Sequence, residues 1–301
     1  MHQIQFEMPY LDPKNDLTFK KVFGQHPHLL KSFLNAMLPL EEDQVIESLE
    51  YLPIELVPDI ILFKNTIVDV RCKDNKGRQF IVEMQMNWTS SFRQRVLFNA
   101  SKAYIKQLDK NEEYTLLNPV YALSLVNDIY EPEMKSFYHH YKIVHIENID
   151  KQIEGLEFIF IELPKFKPQN ISEKKLQVLW LRYLTEIKDG SIEISSDFYD
   201  NPDTKEAVDY LQESAFSKAE LEYYDKYWDI VASEKTVIKD SEKKGEIKGE
   251  IKGRIEGKIE GKIEGIIEGK IEVARIMKQN NEDINKIVKF TGLSKEEIEK
   301  L

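Results

Sequence analysis

The chain has 301 residues, of which 42% are hydrophobic, so one large domain or two smaller ones can form a packed core. No apolar run approaches the roughly 20 residues of a transmembrane helix, and residues 1–7 lack the pattern of a secretory signal. The single Cys72 excludes an internal disulfide. Together these observations favour a cytoplasmic protein. The net charge of −11 argues against nucleic acid as a partner, but residues 1–110 hold 14 basic and 14 acidic side chains, so the acidity lies elsewhere and a local basic stripe is not excluded.

The N-terminal part of the chain has a helical pattern followed by a strand pattern. Asn15 or Asp16 can cap a helix over residues 16–38, and Pro27 interrupts or kinks that helix. Residues 44–51 have the pattern of a strand.

A hairpin, a helix and a further strand are predicted next. Ile67–Lys73 and Arg78–Met86 flank the turn signal Asn75-Lys76-Gly77. Ser90–Leu108 has apolar residues on one side of a helix, and Val120–Val126 is a compact apolar run of strand length. The order of helix, strands, helix and strand predicts a mixed α/β core. Beyond it we expect strands at Tyr141–Ile146 and Leu156–Leu163, a helix at Glu173–Ile187 and a mostly helical region at 202–238.

A four-residue repeat begins at Gly245. Glycine recurs at every fourth position to Gly269, and isoleucine does so from Ile247 to Ile271. Each glycine disfavours a helix by about 1 kcal/mol relative to alanine, and like charges four residues apart are also unfavourable. We therefore expect residues 241–273 to be either disordered or a helix that self-associates in a homodimer, with a seam of right-handed sense.

The last residues of the chain return to an ordinary amphipathic pattern. Glu282–Phe290, the turn Thr291-Gly292 and Ser294–Leu301 resemble part of a helix-turn-helix, and Ser294 with Glu297 forms a capping box. Because the second helical segment is net acidic, a packed helical cap is favoured over insertion into a DNA groove.

The predicted hairpin places two acidic residues opposite each other. Counted outward from the turn, Asp69 lies opposite Glu83, and Ile67 lies opposite Gln85. One face of the hairpin is apolar and is predicted to be core: Val68, Val70, Cys72, Phe80, Val82, Met84 and Met86. The other face is mostly polar: Asp69, Arg71, Lys73, Gln79, Glu83 and Gln85.

The facing carboxylates admit two interpretations. At about 5 Å between Cβ atoms they repel each other, and a divalent cation removes that repulsion. Hard cations such as Mg²⁺ take carboxylate oxygens and water, and water bound in this way is more easily deprotonated to attack phosphorus. The pattern therefore indicates either a metal-dependent site at Asp69 and Glu83 or a solvent-facing hairpin with an ordinary polar face.

Four segments carry a resemblance to a known family: Asn15–Phe23, Val68–Val70, Ile81–Gln85 and Phe92–Arg95. They resemble the Rpn family of recombination-promoting nucleases, often labelled putative transposases, within the PD-(D/E)XK nuclease superfamily. The resemblance implies a restriction-endonuclease-like core with a mixed sheet flanked by helices. It also implies double-stranded DNA as the substrate and Mg²⁺ or another divalent cation as the cofactor.

The resemblance assigns roles to four residues. Asp69 and Glu83 would bind the metal. In the superfamily a lysine two residues after the glutamate helps to activate water, and Gln85 occupies that position here. A glutamine amide cannot act as a base at neutral pH, but it can orient a water or the scissile phosphate. Relatives place an acidic residue on the first core helix, so Asp16 is either a third catalytic acid or a helix N-cap.

Basic residues beside the hairpin are candidates for DNA binding. Lys20 and Lys21, on the first helix, are either solvated or in contact with phosphate. A polar stripe on the second helix has the same two interpretations: Arg95, Asn99, Lys102 and Lys106. The predicted DNA-binding set is Lys20, Lys21, Arg95, Lys102 and Lys106.

The sequence thus predicts a nuclease-like domain over residues 1–240 with its catalytic core at about 15–126, the repeat at 241–273 and a small helical cap at 274–301. The predicted function is a Mg²⁺-dependent DNA endonuclease of the recombination-promoting type. The alternative is a non-catalytic DNA-binding or assembly protein with a degenerate nuclease core. Gln85 and the acidic net charge favour the alternative, whereas the intact carboxylate pair favours the enzyme.

Overall fold

The computed structural model describes residues 9–56, 66–109, 111–168 and 175–301. The chain divides into two compact units, a first that ends at Lys235 and a second that comprises Thr236–Leu301. Residues 1–7 and the predicted helix start at Glu173 lie outside the described ranges.

The strands of the first unit form two sheets. In chain order they are β1 (Leu49–Tyr51), β2 (Glu55–Leu56), β3 (Thr66–Ile67), β4 (Val70–Asp74), β5 (Gln79–Gln85), β6 (Val120–Val126), β7 (Tyr138–His145) and β8 (Asn148–Glu162). Six of them form a mixed sheet in the order β1-β4-β5-β6-β8-β7, in which β5, β6 and β8 are parallel. The strands β2 and β3 pair separately as a short antiparallel ladder. The predicted mixed α/β class is therefore confirmed.

Eight described helices accompany these sheets: α1 (Asp16–Phe23), α2 (Pro27–Met37), α3 (Phe92–Ile105), α4 (Lys175–Glu186), α5 (Pro202–Asp209), α6 (Lys218–Gln279), α7 (Ile284–Thr291) and α8 (Lys295–Glu299). Pro27 begins α2 instead of continuing α1, because proline lacks a backbone N–H and fits the first turn of a helix. The predicted interruption of the first helical pattern is thus confirmed.

Helices cover both faces of the six-stranded sheet. On one face, α1, α2 and α4 contribute Phe23, Phe33 and Trp180, whose ring centroids lie 4.7 to 5.7 Å apart. On the other face, α3 packs Phe92 and Val96 against Ile81 of β5. The hairpin β4–β5 is therefore enclosed between two layers of helix, as in other α/β domains.

The hairpin of β7 and β8 is longer than its sequence pattern predicts. The predicted strands are Tyr141–Ile146 and Leu156–Leu163, whereas β8 already begins at Asn148. Residues 148–154 are mostly polar and are exposed, so they lack the apolar pattern that marks a buried strand. The strand pattern at 44–51 has the opposite outcome, since only the three residues of β1 belong to a strand.

The second unit consists of the later part of α6 together with α7 and α8. Gly292 ends α7 with a positive φ of 72°, and the predicted capping box of Ser294 and Glu297 begins α8. Ala274, Ile287 and Ile298 form its small buried cluster. No described helix has the length and apolar character required to cross a membrane.

The four-residue repeat lies within helix α6. No atom of another element stands within 4 Å of the place where a Cβ would be added on the glycines from Gly245 to Gly269. The isoleucines from Ile247 to Ile263 are each about half exposed. The glycine and isoleucine faces of this helix are thus both uncovered in the described part of the chain.

Candidate active site

The predicted register of the β4–β5 hairpin is confirmed over the paired residues. Val70 pairs with Val82 and Cys72 pairs with Phe80, as counted from the turn. The same count carried one residue further brings Asp69 beside Glu83. Because β4 begins at Val70, however, Asp69 stands just outside the ladder.

The chain bends away from β5 immediately before Asp69. Ile67 pairs with Glu55 in the separate β2–β3 ladder, so the prediction that Ile67 lies opposite Gln85 is wrong. Val68 consequently packs with the cluster under α3 and not with the apolar face to which its alternation assigns it. The competing pairing with β2 causes this change, and a pattern of alternating residues within one strand does not reveal it.

The Asp69 carboxylate takes over a main-chain hydrogen bond at this bend. In an antiparallel ladder every second pair exchanges both main-chain hydrogen bonds, which would direct the Met84 N–H toward Val68. Instead the Met84 N–H donates to Asp69 Oδ2 at 2.7 Å. One oxygen of Asp69 is thereby held against the backbone of β5.

Most of the polar face of the hairpin is buried. Glu83 is only 7% exposed, and Arg71 and Gln79 on the same face are also buried. Arg71 Nη2 donates to Gln79 Oε1 at 2.8 Å. The interpretation of this face as an ordinary solvent-facing surface is therefore wrong.

Burial makes both carboxylates difficult to ionise. Desolvation raises the pKa of Asp69 from 3.8 to about 7, the Met84 N–H opposes that rise, and the negative charge of Glu83 adds to it. Desolvation also raises the pKa of Glu83, against the lowering effects of Asn99 and Arg95. Two adjacent carboxyl groups with raised pKa values form a site that favours a bound positive charge.

The two carboxylates line one open cavity of about 320 Å³. Its walls are formed by Ile67, Asp69, Glu83, Met84, Gln85, Arg95 and Asn99. Three of the four predicted catalytic residues are thus brought together, along with one of the predicted DNA-binding residues. The fourth predicted catalytic residue, Asp16, is not among the lining residues.

Gln85 and Arg95 are connected at the rim of this cavity. The Arg95 guanidinium donates to Gln85 Oε1, and Gln85 Nε2 donates to the carbonyl of Asn87. The guanidinium also lies 4.9 Å from the centroid of the Phe92 ring. Both ends of the Gln85 amide are therefore engaged, and the exposed Arg95 brings a positive charge to the cavity that holds the carboxylates.

Asp16 lies close enough to act electrostatically on this site. Asn15, not Asp16, caps helix α1, since its side chain accepts from the Leu17 N–H at 3.0 Å. Asp16 forms an ion pair with Lys20 at 2.7 Å and accepts from the Tyr223 hydroxyl at 2.8 Å. Its negative charge raises the pKa of Asp69 slightly, while Lys20 has the opposite effect. The N-cap interpretation of Asp16 is therefore wrong, and its role beside Asp69 stays a prediction.

Comparison with known protein families gives a match over most of the chain. A family model described as PD-(D/E)XK nuclease family transposase matches residues 13–241. The chain belongs to this family. No curated protein and no solved structure matched the chain. The resemblance inferred from the sequence is thus confirmed, and the mixed sheet flanked by helices is consistent with the fold of this family.

PD-(D/E)XK nucleases typically use divalent metal ions, and the donors in this cavity fit such an ion. Asp69 and Glu83 supply hard carboxylate oxygens, and the buried Asn99 Oδ1 accepts no hydrogen bond from the residues that the structure describes. Within the described ranges no three His, Cys, Asp or Glu side chains are grouped as metal ligands. A cation held by Asp69 and Glu83 would therefore complete its coordination with other oxygen donors, including water.

The predicted DNA-binding lysines differ in their exposure to solvent and in their contacts. Lys102 is only 8% exposed, and its Nζ donates to the carbonyl of Leu56 at 2.9 Å, so its assignment to an accessible stripe is wrong. Lys21 Nζ donates to the carbonyl of Ala215 at 2.9 Å and lies over the Phe216 ring. Lys20 and Lys106 are partly or fully exposed, as phosphate contacts require.

Two residues in or near the candidate site are missed by the sequence patterns. Asn99 belongs to the predicted polar stripe, but helical spacing gives the direction of a side chain and not its depth. Tyr223 reaches Asp16 from helix α6, more than 200 positions along the chain. No local pattern signals such a contact, because it depends on how the first unit folds.

Proposed function

We propose that the chain is a metal-dependent endonuclease that hydrolyses phosphodiester bonds in double-stranded DNA. The observation that carries this proposal is the pair of Asp69 and Glu83 in one cavity, each with a raised pKa caused mainly by burial. Burying two like charges without a counter-charge is unfavourable. A divalent cation at this position would offset both the cost of burying the two carboxylates and their mutual repulsion. It would also supply the metal chemistry that PD-(D/E)XK nucleases typically use.

In this proposal Asp69 and Glu83 hold Mg²⁺ or a similar divalent cation. Such an ion would acidify a bound water and offset negative charge on the scissile phosphate. Asp69 has one oxygen committed to the Met84 N–H, which leaves Oδ1 for the cation. Glu83 Oε1 accepts from Asn99 at 2.9 Å, so the carboxylate enters the site in a fixed orientation.

In this proposal Gln85 and Arg95 together replace the lysine that helps to activate water in other members of the superfamily. Gln85 is neutral and cannot accept a proton at neutral pH, so its contribution is to position its neighbours. Arg95 remains charged and presents donors that match phosphate oxygens. We propose that Arg95, held by Gln85, binds the phosphate next to the scissile bond.

DNA contacts beyond the cavity are assigned to two of the basic side chains that the sequence singled out. Lys20 lies beside Asp16 and Asp69, and Lys106 lies at the end of α3. Each phosphate neutralised by such a cation adds to affinity and makes binding sensitive to salt. Lys21 and Lys102 are assigned no phosphate in this proposal, since they contact Ala215 and Leu56.

A plasmid-nicking assay tests the proposal. Supercoiled DNA is incubated with the full chain in Mg²⁺, in Mn²⁺ and in EDTA, and conversion to nicked or linear DNA is measured. Cleavage that requires the cation and disappears in Asp69→Asn and Glu83→Gln is expected. Asp150→Asn, on the exposed part of β8, is the matched control and should cleave at the wild-type rate.

The second candidate function is a DNA-binding or assembly protein without catalysis. The observation that favours it is Gln85, which removes the ionisable group that many nucleases place there. DNA binding that survives in Mg²⁺ and Mn²⁺ with no nicking at any enzyme concentration would establish this alternative and exclude the endonuclease.

We also propose that the repeat in α6 joins two copies of the chain. The repeat glycines leave space for a close partner helix, and the half-exposed isoleucines gain from burial. A second copy presents the same complementary lysine and glutamate positions, and two active sites suit cleavage of both DNA strands. Light scattering on the full chain should give a dimer. Replacing Ile255, Ile259 and Ile263 by glutamine should give a monomer, whereas the same replacement of Lys289 and Lys295, which are exposed and lie outside the repeat, should not.

A further inference from the structure

Asn99 is the deepest polar residue that helix α3 directs at the cavity. It is 1% exposed and lines the cavity together with Asp69 and Glu83. Its Nδ2 donates to Glu83 Oε1 at 2.9 Å. A polar side chain buried in mid-helix is unfavourable unless its hydrogen-bonding groups are satisfied, so the role of each end of this amide matters.

The orientation of the Asn99 amide is fixed by its neighbour. A Glu83 that is ionised, as cation binding requires, only accepts hydrogen bonds, so the NH₂ group faces Glu83 and the carbonyl oxygen points elsewhere. That oxygen, Oδ1, is buried and accepts no hydrogen bond from the described residues. The site therefore contains an oxygen donor that the protein itself leaves unused.

Other asparagines in the first unit show how a structural asparagine is used in this fold. Asn35 donates from Nδ2 to the carbonyl of Ile46 at 2.9 Å and accepts the Ile46 N–H on Oδ1 at 2.8 Å. Asn15 likewise donates to the carbonyl of Tyr224 and accepts the Leu17 N–H. Both ends of each amide are bonded, whereas Asn99 has one end bonded and the other without a hydrogen-bond partner among the described residues.

We propose that Asn99 positions the divalent cation: Nδ2 holds Glu83 in place, and Oδ1 joins Asp69 and Glu83 in the oxygen donor set, directly or through a cation-bound water. The inference rests on the proposed function, since it presumes a cation at the carboxylate pair. A neutral amide oxygen adds a ligand of the type that Mg²⁺ and Mn²⁺ accept without adding a third negative charge. That property suits a buried site in which Asp69 and Glu83 already repel each other.

The test is calorimetric titration of Mn²⁺ and of Mg²⁺ into the full chain without DNA. Asn99→Leu removes both ends of the amide at similar volume, and we expect a loss of roughly 10–100-fold in affinity. Asn99→Asp keeps an oxygen toward the cation while it loses the donor to Glu83, so it should bind the cation more tightly than Asn99→Leu. Asn35→Leu is the matched control, because it removes a fully bonded amide from α2 and should change thermal stability without changing cation affinity.

Each outcome decides a different point. Wild-type affinity in a folded Asn99→Leu variant overturns the inference and leaves the proposed function standing. Equal losses in Asn99→Leu and Asn99→Asp overturn the role of Oδ1 and restrict Asn99 to holding Glu83. If Asn99→Leu fails to fold by circular dichroism, the comparison of Asn99→Asp and Asn99→Ala with wild type replaces it: wild-type affinity in the alanine variant overturns the inference. Absence of any cation binding by the wild-type chain removes both the inference and the endonuclease proposal.

Discussion

The raised pKa of Asp69 gives a sharp prediction about stability in the absence of metal. Replacing Asp69 by asparagine removes the ionisation but keeps an oxygen that can accept the Met84 N–H. The folded wild-type protein retains the Asp69 proton over a pH range in which the unfolded chain has already lost it. Its stability therefore falls as pH rises from about 4 to about 7, and the Asp69→Asn variant lacks this fall.

The magnitude follows from the pKa of about 7 in place of 3.8. A change of that size corresponds to about 4 kcal/mol of unfavourable free energy once the carboxylate is ionised, which is the condition above pH 7. The advantage of Asp69→Asn over wild type should grow by at least about 2 kcal/mol between pH 5 and pH 8. Added Mg²⁺ should narrow that gap at pH 8 by binding the ionised wild-type site.

Urea unfolding in EDTA, followed by tryptophan fluorescence, measures the effect. All three tryptophans, Trp88, Trp180 and Trp228, lie in the first unit, so the signal reports that unit alone. Asp150→Asn serves as the control and should follow wild type at every pH. A constant difference in free energy between Asp69→Asn and wild type from pH 5 to pH 8 would refute the reasoning that burial holds the Asp69 proton.

Three further predictions concern catalysis, binding and the repeat. Gln85→Lys should retain cleavage or shift its metal preference, because the wider superfamily uses lysine there; if neither this change nor Gln85→Ala alters cleavage, Gln85 is not part of the site. Changing Arg95 and Lys106 together to glutamine should reduce the slope of log affinity against log salt by about 0.9 for each phosphate that is no longer neutralised, and an unchanged slope assigns both to solvent. Gly257→Leu should raise the helicity of α6 yet weaken dimerisation, since the added side chain meets no atom in one copy but blocks close approach of a second; sedimentation velocity with unchanged association would contradict this.

The position of the acidic pair was predictable because it depends on local counting. The turn at Gly77 fixes the register, and the register brings Asp69 next to Glu83. The bend at Val68 was not predictable, since it results from pairing with β2, a strand of only two residues. A short strand of this kind leaves almost no pattern in the sequence.

The burial of the side chains on α3 was the second property that could not be predicted from the sequence. Helical spacing correctly groups Arg95, Asn99 and Lys102 on α3, but these side chains end in different surroundings. Arg95 is exposed at the cavity rim, Asn99 is buried against Glu83, and Lys102 is held by the carbonyl of Leu56. The separation arises from the groups that pack beside each part of α3, such as Glu83 beside Asn99 and Leu56 beside Lys102, which is a tertiary property.

The period of the repeat in α6 has a consequence for how this protein can change in length. Four residues turn a helix by about 400°, so each repeat advances the chain by about 6 Å and leaves it rotated by about 40°. Loss or gain of one repeat therefore preserves the alternation of Gly257 and Ile259 with their neighbours. The same change nevertheless rotates the terminal cluster of Ile287 and Ile298 about the helix axis relative to the start of the repeat. The number of repeats thus sets the rotation of this cluster about the helix axis. About nine added repeats complete one full rotation and move the cluster about 54 Å along the axis.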